Sequence, residues 1–235
     1  MMDHTNKQFD AEMDSIRSGV LSMGGIVERQ LRRAIDALEQ DDDSARTDAV
    51  GADEAAINRL QMAIDQQCAQ IIAKRQPTAV DLRMVLTISK IVNDLERTGD
   101  EGKKIAYKAA QTRSERLARV RHYDTARALE RASAMLREAL DAFARLDAAA
   151  AADIVARDAE IDAAFASILR QLVSYMMEDP RTITPAIEIV FVAKSIERIG
   201  DHAKNIAEAV VQVVMGKDVR HASLDEIRAE VAGRP

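Results

Sequence analysis

The chain repeats itself. A shift of 101 residues lays Leu95-Glu96-Arg97-Thr98-Gly99-Asp100 onto Ile196-Glu197-Arg198-Ile199-Gly200-Asp201. The same shift carries the seam Val85, Ile88, Val92, Leu95, Gly99, Gly102, Ala106 onto Ala186, Ile189, Ala193, Ile196, Gly200, Ala203, Ala207, and Lys103 onto Lys204. A shift of 104 sets Asp43 on Asp147, Glu54 on Asp158, Ile57 on Ile161 and Ile64 on Ile168. The stretches before these match more loosely. Such self-similarity is the mark of one supersecondary unit used twice, with the join near residues 112–115.

Each unit is helical. Apolar residues recur every three or four positions throughout, and no segment alternates as a strand does. Nine glycines, four prolines and seven aromatic residues among 235 (Tyr 3, Phe 4, Trp 0) also weigh against β-sandwiches and barrels. The spacing predicts a helix over 8–40, with Val20, Val27, Leu31, Ala34, Ile35 and Leu38 inward. A second follows Asp41-Asp42-Asp43-Ser44, which offers N-cap oxygens, and carries Ile57, Leu60, Ile64, Cys68, Ile71 and Ile72. It stops before Pro77, because proline disfavours helix in the preceding residue. A third runs from Thr78 to 112–114, a fourth over 115–146 and a fifth over 149–177. The sixth is expected to start with Thr184 as N-cap and Pro185 at its first position, and to end at Met215 with Gly216 as C-cap. Helices of about 30 residues are roughly 45 Å long, and long amphipathic helices joined by short turns build antiparallel bundles. The expected fold is therefore all-α: two tandem, pseudo-symmetric three-helix bundles over 1–113 and 114–216, and a polar tail over 217–235 with at most one short, loosely docked helix.

Charge and composition narrow the function. A net charge of −6 and few aromatics argue against a nucleic-acid partner, which demands a basic face and stacking platforms. No apolar run reaches the length of a membrane span, and residues 1–10 lack the apolar core of a secretory signal. One cysteine, Cys68, fits a reducing compartment and an apolar helix stripe. A soluble, cytoplasmic protein is expected. The ten methionines read as bundle filling, and His4, His122, His202 and His221 as surface or tail residues without ligand spacing.

The duplicated Glu-Arg-x-Gly-Asp is the strongest local feature. Glu96 and Asp100, like Glu197 and Asp201, stand four apart and project from one helix face beside the apolar seam. The glycines Gly99 and Gly200 fall in the seam itself, where a missing Cβ lets another element approach despite a helix-propensity cost of about 1 kcal/mol. Like charges on adjacent turns repel and raise each other's pKa unless a cation compensates. A metal ion ligated by oxygens is one such cation; Arg97, Lys103, Lys104, Lys194 and Lys204 are others, as ordinary ion pairs. The second site offers a third oxygen ligand, Asn205, with Asp158 or Asp162 available from the fifth helix. The first has Lys104 instead, expected on Asp100. No Glu-x-x-His, glycine-rich phosphate loop or nucleophile–base arrangement occurs.

These motifs, with Arg75-Gln76-Pro77 and Asp81-Leu82-Arg83 before the first copy and Gly216-Lys217-Asp218-Val219-Arg220-His221 after the second, resemble the PhoU family along essentially the whole chain. The resemblance implies two similar three-helix bundles. It also implies a negative regulator of the phosphate-starvation response, a non-enzymatic adaptor between the ATPase subunit of a phosphate ABC transporter and a membrane sensor histidine kinase. A homodimer that meets the membrane only through its partners is expected. Some family members bind multinuclear iron or other metal clusters through acidic motifs that match Glu96–Asp100 and Glu197–Asp201 here, with Asn205 as the next-turn ligand; Lys104 departs from that set. The alternative is a metal-storing or metal-dependent catalytic bundle. Lack of Glu-x-x-His and of a base–nucleophile pair favours the adaptor.

Overall fold

The computed structural model describes residues 2–39, 44–112, 116–219 and 222–232. Among them there are helices and no strand: α1 (Met2–Glu39), α2 (Ser44–Arg75), α3 (Ala79–Thr112), α4 (Arg116–Arg145), α5 (Ala148–Glu178), α6 (Ile183–Met215) and α7 (Leu224–Ala232). The N-cap expected from Asp41 to Asp43 lies outside the described residues.

Within each half the three long helices pack on one another. Their polar contacts give the directions. The bidentate pair of Arg75 with Glu12, at 2.8 and 2.9 Å, ties the end of α2 to the start of α1, and Arg29 with Asp53 at 2.8 Å ties the end of α1 to the start of α2. Both predicted seams are buried throughout: Val85, Ile88, Val92 and Leu95 in α3, and Ala186, Ile189, Ala193 and Ile196 in α6, are at most 2% exposed. Ile72 departs from its expected place and is 37% exposed, one position off the stripe of Ile64, Cys68 and Ile71.

The halves do not stand apart. One core runs through both, because α3 packs along α6 and α1 along α4. The α3–α6 contacts run antiparallel, from Lys90 with Gln212 through Asp94 with Asn205 and Glu101 with Arg198 to Lys108 with Glu188. Their register crosses at the level of Gly99 and Gly200, the residues that the 101-residue shift equates, as a pseudo-twofold between the halves requires.

Termini of the helices follow local chemistry. Asp147 caps α5, accepting from the Ala150 N–H at 2.9 Å. Gly216 ends α6 in the left-handed region at φ 80°, and a Cβ there would lie 2.6 Å from the Arg83 guanidinium, so both backbone and space call for glycine. The start of α6 differs from expectation. Asp179 accepts from the Arg181 N–H at 3.0 Å and caps a 3₁₀ turn, Pro180–Thr182, that runs straight into the helix. Pro185 is therefore its third residue, still within the first turn where a missing N–H costs no intrahelical bond. The tail also packs more closely than expected. Val219 and Ile227 are 4% and 1% exposed, α7 lies on α5, and Lys217 pairs with Glu230 at 2.7 Å.

Candidate functional site: two acidic faces and the seam between them

In each half the third helix turns its acid pair toward the second helix, and a lysine closes the gap. Lys103 Nζ reaches Glu54 at 2.6 Å, and Lys204 Nζ reaches Asp158 at 2.7 Å. The two bridges are equivalent under the repeat. Gly99 and Gly200 make the approach: a Cβ on Gly99 would meet Ile57 Cδ1 at 2.9 Å, and one on Gly200 would meet Ile161 Cγ2 at 3.0 Å. Ile57 and Ile161 are themselves repeat partners, so the duplication extends to how each isoleucine seats on its glycine.

The acids crowd one another. Burial and the neighbouring Asp100 push the Glu96 carboxyl above its ordinary value, with Arg97 opposing. Burial, Glu197 and Asp158 push Asp201 up, Lys194 opposes, and Asp162 adds to the rise. Lys194 forms an ion pair with Glu197. Ammonium groups thus already sit on Glu54, Asp158 and Glu197. Among the described residues no three His, Cys, Asp or Glu side chains stand together as a metal-binding group. A multivalent ion at Glu197–Asp201 therefore has to displace Lys194 and Lys204 rather than enter a ready cage.

Asn205 and Lys104 face elsewhere. Asn205 Nδ2 donates to Asp94 Oδ1 at 3.2 Å, across the α3–α6 seam, and the same oxygen lies 2.9 Å from His202 Nδ1. Lys104, expected on Asp100, pairs instead with Glu101 at 2.9 Å, whose Oε1 also takes Arg198 Nη1 at 3.2 Å. The cause is helical geometry: each four-residue step turns about 400°, so the third member of a four-spaced set has swung about 80° from the first. Positions 104 and 205 have left the acidic face for the seam between the halves.

That seam is where the sequence reading missed most. Burial pushes the Glu101 carboxyl up, but hydrogen bonds from Lys104, Ser195 and Arg198 outweigh it and hold the group below its ordinary value. His202, expected at the surface, is only 13% exposed in its side chain and engages Asp94; the side chains of His4, His122 and His221 lie outside the described residues. The available signal was a seven-residue spacing, Asp94, Glu101, Lys108 on α3 against Glu188, Ser195, His202 on α6, which places polar groups on one edge of each helix.

A duplicated all-α bundle with an acid pair and a close-packing glycine in each third helix defines the class of protein. The PhoU domain profile matches residues 20–109 and again 125–210. A phosphate-specific transport system accessory protein PhoU homolog from Pseudomonas putida is 44% identical, covering 98% of this chain and 90% of that protein. The accessory protein PhoU from Escherichia coli K12 is 43% identical, covering 98% and 95%. The crystal structure of PhoU from Pseudomonas aeruginosa superposes with a TM-score of 0.78 at 42% identity, covering 89% of this chain and all of that one. The phosphate transport system regulatory protein PhoU from Streptococcus pneumoniae gives the same TM-score at 25% identity, covering 90% and 99%. The chain belongs to the PhoU family.

Proposed function

We propose that this chain is a cytoplasmic, non-enzymatic adaptor that restrains the phosphate-starvation response. It docks as a homodimer on the ATPase subunit of a phosphate ABC transporter and on a phosphate-sensing histidine kinase, and it modulates phosphate uptake when phosphate is plentiful. The observation that carries this reading is the near full-length likeness to proteins named as accessories of phosphate-specific transport. Two features suit the role. No helix among the described residues is long and apolar enough to cross a membrane, so contact with the membrane runs through the partners. Helices of 30 to 38 residues supply broad rigid faces for docking. Affinity capture of the full chain from native membranes grown phosphate-replete tests it: the ATPase subunit and the kinase are expected, and recovery of neither refutes the adaptor.

The raised Glu96 and Asp201 carboxyls favour one addition. A divalent or trivalent ion, multinuclear iron in the form the family resemblance implies, binds at Glu197 and Asp201 and more weakly at Glu96 and Asp100, while Asn205, expected as a further ligand, is turned to Asp94 across the seam. Its chemistry there is neutralisation of crowded carboxylates. Calorimetric titration with ferric, zinc, manganese and magnesium ions is the check. Binding should vanish in Glu197→Gln/Asp201→Asn and survive in Glu96→Gln/Asp100→Asn; equal affinity in the parent and the first of these variants rules the second-half site out.

A further inference from the structure

A groove of about 690 Å³ opens between α2, α3 and the last turns of α6, and Arg83 and Lys90 of α3, Asp65 of α2 and Gln212 of α6 line it. Its cations are not neutralised. Among the described residues neither Arg83 nor Lys90 forms an ion pair, and the Arg83 Nε is buried without a hydrogen-bond partner. Lys90 Nζ donates to the neutral amide oxygen of Gln212, at 3.3 Å. The C-terminal end of α6 favours a cation beside Gly216, which explains where the guanidinium lies but gives its Nε no acceptor. A buried, charged donor without an acceptor is costly, and an anion from solution is the group that satisfies it. The duplication did not supply these charges: Arg83, Lys90 and Asp65 correspond to Thr184, Phe191 and Leu169 in the second half. One copy alone carries a cationic groove, in a chain whose net charge is −6. Such a cleft concentrates anions against the repulsion of the rest of the surface.

We propose that this groove binds inorganic hydrogen phosphate, held between Arg83 and Lys90 with its P–OH donated to Asp65. The site stands whether or not the chain docks on the partners proposed above. Spacing is the first support. The Arg83 guanidinium lies at the level of Gly216 and the Lys90 ammonium at that of Gln212, four residues earlier along α6. Four helical residues span about 6 Å along the axis. One phosphate fits that interval, with a charge-assisted N···O contact of about 2.8 Å on either side. Asp65 is the second support, and it sets the choice of anion. Its Oδ1 accepts from Ser89 Oγ at 2.7 Å, and among the described residues no cation pairs with it. A carboxylate only accepts hydrogen bonds, so an anion beside it has to bring a donor. Hydrogen phosphate keeps a P–OH at about pH 8. Sulfate has none, and a phosphate monoester loses its own above a second pKa of about 6.

Titration calorimetry of the full chain at about pH 8 tests the proposal, with hydrogen phosphate, sulfate and methyl phosphate as probes. All three are dianions there, and hydrogen phosphate alone donates. It should bind, and the other two should bind about tenfold more weakly or less. Arg83→Gln should weaken phosphate binding about tenfold or more, and Lys90→Gln about three- to tenfold. Asp65→Asn, whose amide also donates, should bring sulfate to within about threefold of phosphate. Glu197→Gln/Asp201→Asn should bind phosphate as the parent does, which separates this groove from phosphate carried on a metal ion at the acid pair. Lys90 is exposed and Asp65 half-buried, so these two variants carry the test if Arg83→Gln melts below the parent. Absence of phosphate binding at millimolar concentration, or parent-like binding in Lys90→Gln and Arg83→Gln alike, overturns the proposal. Sulfate or methyl phosphate held by the parent as tightly as phosphate overturns the choice of anion.

Discussion

Gly200→Ala probes the close approach of α5 to α6 where the structure gives it least room. A Cβ at Gly200 falls 3.0 Å from Ile161 Cγ2 and 3.3 Å from both its Cβ and Cγ1. These atoms root a β-branched side chain, so no rotation of its tip removes them; α5 itself has to move. At Gly99 the obstructions are Ile57 Cδ1 at 2.9 Å and Gln30 Oε1 at 3.1 Å, both the far ends of side chains that can swing. Alanine removes a helix-propensity cost of about 1 kcal/mol at either position. Overpacking against a rigid neighbour costs about 1–3 kcal/mol. Gly200→Ala should thus be destabilised by about 1 kcal/mol, while Gly99→Ala stays within about 0.5 kcal/mol of the parent. In a chain of this length 1 kcal/mol moves the melting temperature by about 2–4 °C, within reach of circular dichroism. Combining Gly200→Ala with Ile161→Ala removes the clash, so the double variant should be more stable than the sum of the singles by about 1–2 kcal/mol. A Gly200→Ala protein that melts above the parent, or strict additivity with Ile161→Ala, refutes the reasoning.

Gln30 is fully buried, and neither its Nε2 nor its Oε1 has a hydrogen-bond partner; Gln30→Met should stabilise by about 1–2 kcal/mol, seen as a higher urea midpoint. Asp201 has a folded-state pKa above its ordinary 3.8, so the native protein binds that proton more tightly and its stability falls as pH rises from 3.8 through the raised value. Asp201→Asn should therefore gain on the parent between about pH 4 and pH 7 in thermal melts, and a constant difference contradicts it. Ile227 of α7 is buried, so truncation after Lys217 should leave the bundle helical by far-UV dichroism yet lower its stability by about 1.5–3 kcal/mol, the worth of one buried isoleucine. An unchanged midpoint would show that the tail is only loosely docked.

How much of this was legible follows from which contacts are local. Both apolar seams, the glycines within them and the ends of α3 and α5 come from spacing along one helix, and period and caps report such spacing directly. The start of α6 was misplaced because Asp179, six residues before Pro185, caps a turn that feeds the helix. Ile72 was placed inward because it adjoins Ile71, although one residue turns a helix by about 100°. The docking of α7 on α5 and α6, with Ile227 and Val219 buried, is a long-range contact that no local pattern encodes.

The acid pairs show the same limit at the site. Their equivalence was visible because it lies within each repeat, whereas the seam of Asp94, Glu101, His202 and Asn205 forms between repeats. There the pseudo-twofold relates Asp94 to Ser195 and Glu101 to His202, so the copies no longer match in charge. Both acids fall on α3, and their donors come from α6, with Lys104 of α3 itself added on Glu101. Identical halves would set acid against acid across the shared seam; Ser195 and His202, standing where the first half has Asp94 and Glu101, remove that repulsion, and Lys104 and Asn205 add donors. Lys104 salt-bridges Glu101 and Asn205 donates to Asp94. Positions 104 and 205, where the two acid sets differ, are thus the ones turned to the joint between the bundles.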